Sequence, residues 1–84
     1  MKFLKEKDIF YHSHKINEVE DKTYITLCYY NEEGEKEFVN FNGNVEDLEE
    51  LKHGTPIRLH FKVYKDRDNY YKIIGLSVYK VEVR

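Results

Sequence analysis

The chain has 84 residues, a formal net charge of −2, and 36% charged residues. A chain this short is a single domain, 1–84, that buries only about 60–65% of its unfolded surface. That leaves no room for an inefficient core. Eight Tyr and five Phe provide large apolar side chains for that core. Ala and Trp are absent, and the enrichment in Tyr, Phe, Val, Ile and Thr favours strands over long helices. Cys28 is the only cysteine, so no intrachain disulfide forms, which fits a reducing, cytoplasmic setting. The N-terminal "MKFLKEKDIF" lacks the apolar run of a signal peptide, and no stretch approaches the ~20 apolar residues of a membrane span. Lys, Asn, Ile, Phe and Tyr, whose codons are AT-rich, are abundant. They point to a low-GC bacterium, or a phage or mobile element living in one.

The first expected strand is "DIFYHSHKINEV", with Ile9, Tyr11 and Ile16 as its buried members, and "NEVEDK" turns the chain. "TYITLCYY" then alternates, placing Ile25, Leu27 and Tyr29 inward and Tyr24, Thr26, Cys28 and Tyr30 outward. "EFVNF" places Val39 and Phe41 inward and Phe38, Asn40 and Asn42 outward. A three-residue loop, Glu32-Glu33-Gly34 with Gly34 left-handed, pairs Leu27 with Val39 and Ile25 with Phe41. A two-residue loop would set Leu27 against Asn40, because a one-residue slip flips every side chain.

"NGNVEDLEELKHG" is the one helical signature, about two turns long. Asn44 caps it, Val45, Leu48 and Leu51 share a face, and Gly54 and Pro56 end it. "PIRLHFKVY" buries Ile57, Leu59, Phe61 and Val63 and turns Arg58, His60, Lys62 and Tyr64 outward. With Asp66–Asn69 as a four-residue loop, Lys65 pairs with Tyr70, Tyr64 neighbours Tyr71, and Phe61, Leu59 and Ile57 face Ile74, Leu76 and Val78. Gly75 inside the last apolar strand marks a bulge or bend.

The order is β-β-β-α-β-β. "INEVEDKTYITLCYYNEEGEKEFVNFNG" resembles the three-strand meander of OB-fold domains, and "LEELKHGTPIRLHFKVYKDRDNYYKIIGLSVYKVEV" resembles their helix–strand 4–strand 5 half. The fold expected is mainly β: a five-stranded OB-fold-like Greek-key barrel with one short helix between strands 3 and 4. The first strand lacks the glycine that often helps it bend in this fold, and an SH3-like barrel or another α+β meander stays open as an alternative.

The resemblance implies a ligand face on the outside of strands 2 and 3, where single-stranded nucleic acid or oligosaccharide binds. Binders of single strands need cations for phosphates and aromatic faces for bases. The aromatic candidates are Tyr24, Tyr30 and Phe38, with Tyr64 and Tyr71 on the last hairpin. The cationic candidates are Arg58, Lys62, Lys65 and Arg67, in a cluster that also holds Lys72. Charge is segregated along the chain. Residues 1–15 carry four Lys against two acids, 16–53 three Lys against eleven, and 54–84 seven Lys and Arg against three. The bland alternatives are rings covering a second apolar cluster or an interface, and an ordinary solvated basic strand. The acidic middle, with Glu18, Glu20 and Asp21 in the first turn, opposes nucleic acid there.

Chemistry is not expected. His12 and His14 share a strand face and His60 could approach, but zinc needs further ligands and none is spaced for it. Cys28 lies mid-strand, where cysteine is usually a small hydrophobe. The carboxylates lie in turns and on the helix. No cofactor, metal site or catalytic residue follows, and the chain reads as a non-enzyme. The function expected is a nucleic-acid-binding module, an accessory factor for single-stranded DNA in phage or mobile-element replication or recombination. It would work beside a larger replication or nucleic-acid-processing protein, with no membrane partner. The chain ends "YKVEVR" rather than in the acidic tail of bacterial single-strand-binding proteins, which favours a subunit over a stand-alone binder. The rival reading is a protein-interaction subunit docking on a polymerase, primase or nuclease, or an acidic DNA mimic that inhibits one.

Overall fold

A computed structural model describes residues 3–81 of the chain. The chain ends of the expected domain therefore lie outside the described residues. The strands are β1 (Phe3–Val19), β2 (Lys22–Tyr30), β3 (Lys36–Phe41), β4 (Pro56–Lys65) and β5 (Tyr71–Lys80), with the helix α1 (Glu46–Glu49) between β3 and β4. Their lateral order, β1-β2-β3-β5-β4, closes into a barrel. Every pairing is antiparallel except β3 with β5, which is parallel. The mainly β barrel with a short helix after the third strand is the architecture the sequence predicts, and it is compatible with an OB-fold-like barrel. Among the described residues no helix is long and apolar enough to cross a membrane.

β1 serves two neighbours. Its first half, Phe3–Phe10, pairs with β4, and its second half, Phe10–Val19, pairs with β2. It begins earlier than the sequence pattern indicates. The register slips between Tyr11 and Ser13, so His12 is a bulge residue. A bulge kinks a strand and raises its twist, which supplies the bend with no glycine. Ile9 and Tyr11 are buried as expected, whereas Ile16 is 46% exposed. The reason is reach. β3 accompanies β2 only as far as Ile25↔Phe41 and β4 accompanies β1 only to Phe10, so the β1–β2 hairpin runs past the barrel as a two-stranded arm. Its turn is a two-residue loop, Glu20-Asp21, with both residues at positive φ, 49° and 66°.

The β2–β3 hairpin has the expected register. The Asn31 N–H donates to the Glu35 carbonyl (2.9 Å), Gly34 sits at φ 80°, and Leu27 faces Val39. The β4–β5 hairpin departs from expectation twice. Its loop is one residue longer, so Lys65 pairs with Tyr71 and Tyr64 with Lys72. A second slip follows where His60 pairs with Ser77 but Phe61 with Gly75, leaving Leu76 as the extra residue. The bulge falls beside Gly75, as that glycine indicated. Leu59 therefore faces Val78 and Ile57 faces Lys80. Val78 packs on the core as expected, whereas Ile73 does so in place of Ile74 and Leu76.

The helix is one turn, not two. Val45 is its N-cap residue without a side-chain cap, and Asn44 Oδ1 accepts the Glu46 N–H at 3.1 Å just before it. The chain then turns through Lys52–Thr55, with Gly54 at φ 88°. Leu48 is fully buried and joins Ile9, Tyr11, Leu27, Tyr29, Val39, Phe41, Ile57, Leu59, Phe61 and Val78 in the core. Burying a leucine of this kind contributes about 1.5–3 kcal/mol, so one turn suffices to close this end of the barrel. At another part of the interior Lys7 Nζ donates to Tyr29 Oη (2.7 Å) and lies 4.7 Å from the centre of that ring.

Candidate nucleic-acid interface

Successive residues of a strand point to opposite faces, and directly paired residues on neighbouring strands share a face. These two rules assign the outside of the β1–β2–β3 sheet. The inward residues Leu27, Tyr29, Val39 and Phe41 fix the parity. On β2 the outward set is Lys22, Tyr24, Thr26, Cys28 and Tyr30. Their partners on β1 are Val19, Asn17, Lys15, Ser13 and Phe10, and on β3 Lys36, Phe38 and Asn40 lie opposite Tyr30, Cys28 and Thr26. None of these residues is a carboxylate. Three are lysines and four are aromatic: Phe10, and the Tyr24, Tyr30 and Phe38 that the sequence places there.

The acids of the same segment are diverted by geometry. Glu18 pairs with Thr23 on the other face of the arm, Glu20 and Asp21 occupy its tip, and Glu37 pairs with Tyr29. The Glu37 carboxylate accepts from the Asn31 amide at 2.7 Å. A stretch that is strongly acidic in sequence thus presents a face with lysines and no carboxylate. Counting charge along the chain misses this; counting it by strand parity finds it, and Lys15, Lys22 and Lys36 are the residues that were overlooked.

Two depressions flank Phe38, which is 67% exposed. One, of about 210 Å³, is lined by Ser13, His14, Lys15, Thr26 and Cys28 with Phe38. The other, of about 320 Å³, includes Thr26, Phe38, Asn40, Tyr64, Lys72 and Ile73. It lies where β3 and β5 separate, since their parallel pairing is confined to Asn40↔Ile74 and Phe41↔Gly75. The short seam leaves room beside it. Here Phe38 and Tyr64 come from different strands to one cleft, with Asn40 also in its lining and Lys72 as the nearby cation. Lys72 is held by Asp66 at 3.1 Å, and that contact lowers the Asp66 carboxyl's proton affinity and raises that of Lys72. The volume is at the small end of ligand sites, about 300–1,000 Å³, enough for one base or sugar unit.

The remaining candidates are dispersed. Arg58 Nε donates to Asp8 Oδ1 at 2.8 Å across the β1–β4 seam, and its neighbour His60 pairs with Glu6 at 3.1 Å. Half of the basic side of β4 is thus neutralised by β1. The Asp8 carboxyl is held below its usual range by Arg58, whose own proton affinity rises in turn. Lys62 is half-buried opposite Ile74. Lys65 lies 5.5 Å from the ring centre of its partner Tyr71, which is 74% exposed, and Arg67 is exposed in the loop beyond them. Tyr64 and Tyr71 are not cross-strand neighbours, because the longer loop moves Tyr71 onto Lys65.

The histidines also regroup. The His12 bulge separates it from His14, whose Nδ1 lies 2.7 Å from Tyr11 Oη. His12 instead meets His53 and Tyr30, at centroid distances of 5.0 and 5.3 Å. Among the described residues no group of three or more His, Cys, Asp or Glu side chains is arranged to hold a metal ion. Cys28 points to the outer face as expected but is only 4% exposed, flanked by its partners Ser13 and Phe38. No protein-family model, curated protein or solved structure matches this chain.

Proposed function

We propose that this chain is a non-catalytic, OB-fold-like nucleic-acid-binding module that takes single-stranded DNA on the outer face of β1–β2–β3. The observation carrying the reading is the composition of that face where β1 pairs with β2 and β2 with β3: Lys15, Lys22 and Lys36 with Tyr24, Tyr30 and Phe38, and no carboxylate among the paired outward residues, on a chain of net charge −2. Lysines neutralise phosphates and exposed rings stack on bases of any sequence, at about 1–3 kcal/mol per base. The cleft beside Phe38 holds one unit of the strand, with Tyr64 and Lys72 contributing from the last hairpin. Arg58, paired with Asp8, and Lys72, paired with Asp66, meet phosphate only by giving up exposed ion pairs, and Tyr71, Lys65 and Arg67 extend the reach of the β4–β5 loop. The acidic surfaces left over, on α1 and the β2–β3 loop, suit docking on a larger nucleic-acid-processing protein. The cytoplasmic setting and the phage or mobile-element origin rest on composition.

Fluorescence anisotropy with a labelled single-stranded oligonucleotide tests this at low salt and near physiological salt. Micromolar or tighter binding that weakens steeply with salt supports the module. No binding at low salt removes the nucleic-acid reading and leaves the protein-docking subunit.

A further inference from the structure

We propose that His12, His53, Tyr30 and Lys36 form a phosphate-binding corner at the barrel end of this face, one that tightens as its imidazoles take up protons. For a nucleic acid as its ligand the inference rests on the reading above. The chemistry itself is that of a phosphate group, whether in a strand or free.

Three rings from three parts of the chain converge there. His12 lies at the β1 bulge, Tyr30 ends β2, and His53 comes from the segment between α1 and β4. The centroids are 5.0 Å apart for His12 and His53, 5.3 Å for His12 and Tyr30, and 5.7 Å for Tyr30 and His53, all edge-on. The segment bearing His53 is clamped to β1: the Gly54 N–H donates to the Tyr11 carbonyl (2.7 Å) and the Tyr11 N–H to the Thr55 carbonyl (2.9 Å). The cluster is therefore held by backbone and not by chance side-chain packing.

Its polar atoms are under-used. His12 Nδ1 is engaged by Ser13 Oγ at 2.6 Å, which leaves Nε2 free. Tyr30 Oη and His53 Nε2 are 3.5 Å apart, too long for a strong hydrogen bond. Lys36 is the cross-strand partner of Tyr30. Neither it nor either histidine has an acidic partner among the described ion pairs. His60, by contrast, already has Glu6 beside it.

The groups that act on His12 are cationic or neutral: Tyr30 from β2, Lys36 from β3 and His53 from the α1–β4 segment. Burial, then Lys36, then His53 hold its proton affinity below the usual imidazole value of 6.5. Two neighbouring imidazoles and an ammonium resist charging together, and an anion in their midst removes that resistance. Protonated imidazoles then donate from both nitrogens, so phosphate binding takes up protons.

The test is a pair of titrations on the full chain and on His12→Asn/His53→Asn, with Lys36→Gln as a variant away from the bulge. Imidazole NMR signals are followed against pH with and without inorganic phosphate, and oligonucleotide anisotropy is read at about pH 5.5 and about pH 8. The expected result is a phosphate-dependent change in the His12 and His53 signals that the signals of His14 and His60 do not share. Oligonucleotide affinity should gain roughly tenfold at the lower pH, the effect of one unit of ligand-induced shift. The double variant loses that gain and Lys36→Gln weakens it. Equal titration curves with and without phosphate, together with the same pH response in all three proteins, overturn the corner while leaving the rest of the face intact. Shifts with phosphate but no oligonucleotide binding at either pH overturn the nucleic-acid reading and retain a site for free phosphate.

Discussion

Arg58 and Asp8 are cross-strand partners whose side chains form a two-pronged contact, Nε to Oδ1 at 2.8 Å and Nη2 to Oδ2 at 3.4 Å. Lys15, Lys22 and Lys36 have no such partner among the described ion pairs, so two sets of cations that look alike in sequence differ in availability. Lys22→Glu and Lys15→Glu should each weaken single-strand binding and flatten its salt dependence, by a slope of about 0.7 for each lost phosphate contact. Arg58→Glu should leave both unchanged. Anisotropy across a salt series decides this. Equal losses in all three variants would mean that the ligand does not discriminate between the faces.

Phe38 separates binding from folding. It is 67% exposed and stands between the two depressions. Phe38→Ala should cost about 1–3 kcal/mol of binding, roughly 5- to 150-fold, through the lost stacking surface. Thermal stability should stay within about 0.5 kcal/mol, as for other surface changes. A large drop in melting temperature would instead make Phe38 a cover for Cys28 and not a ligand platform.

Much of this was legible in the sequence because inward and outward residues alternate cleanly on β2 and β3. There the three-residue loop with Gly34 left only one register that matched the apolar faces, and the structure has it. The β4–β5 register was not legible. Both "KDRDNYY" and "IIGLSV" admit a one-residue slip without putting a charge into the core, so loop length and bulge position are set by packing around Gly75 and Phe41. Ile16 misled for a related reason. An apolar residue in an alternating pattern implies burial only where a third strand or a helix covers it, and strand length is not written in the pattern. The His12–His53 encounter depends on the bulge and on the Tyr11 clamp, two backbone features with no signature at either histidine. The arm's charge was legible in principle, since parity alone moves Glu18 away from Lys22 and Tyr24.

The His12 imidazole also makes folding depend on pH. Its proton affinity is lower in the folded chain than the value of 6.5 that it recovers on unfolding. The unfolded state therefore binds more protons near that pH, and stability falls as pH drops through 6.5. Removing the group by His12→Asn should flatten the melting temperature between about pH 8 and pH 5. Asp8 and Asp66 act further down the scale. Their carboxyls are held below 3.8 by Arg58 and Lys72, so what they contribute persists above that value and disappears in stronger acid. A His12→Asn protein that keeps the parent's slope above pH 5 would assign the effect to other histidines.

The tip of the β1–β2 arm offers a test of backbone strain. Glu20 and Asp21 both adopt positive φ, 49° and 66°, in the two-residue connection between Val19 and Lys22. Such a turn favours Asn-Gly, and a left-handed residue with a long side chain carries a cost of order 1 kcal/mol. Glu20→Asn with Asp21→Gly should therefore stabilise the chain by about 1 kcal/mol, a rise of about 4–8 °C in melting temperature for a domain this size. The same change removes two negative charges beside Lys22 and Tyr24, so single-strand binding should tighten at low salt and converge with the parent at high salt, where such charges are screened. Denaturation and anisotropy measured on one preparation separate the two effects. Stabilisation without any change in binding would place the arm's tip outside the ligand's path, and tighter binding without stabilisation would show that the turn relaxes in solution.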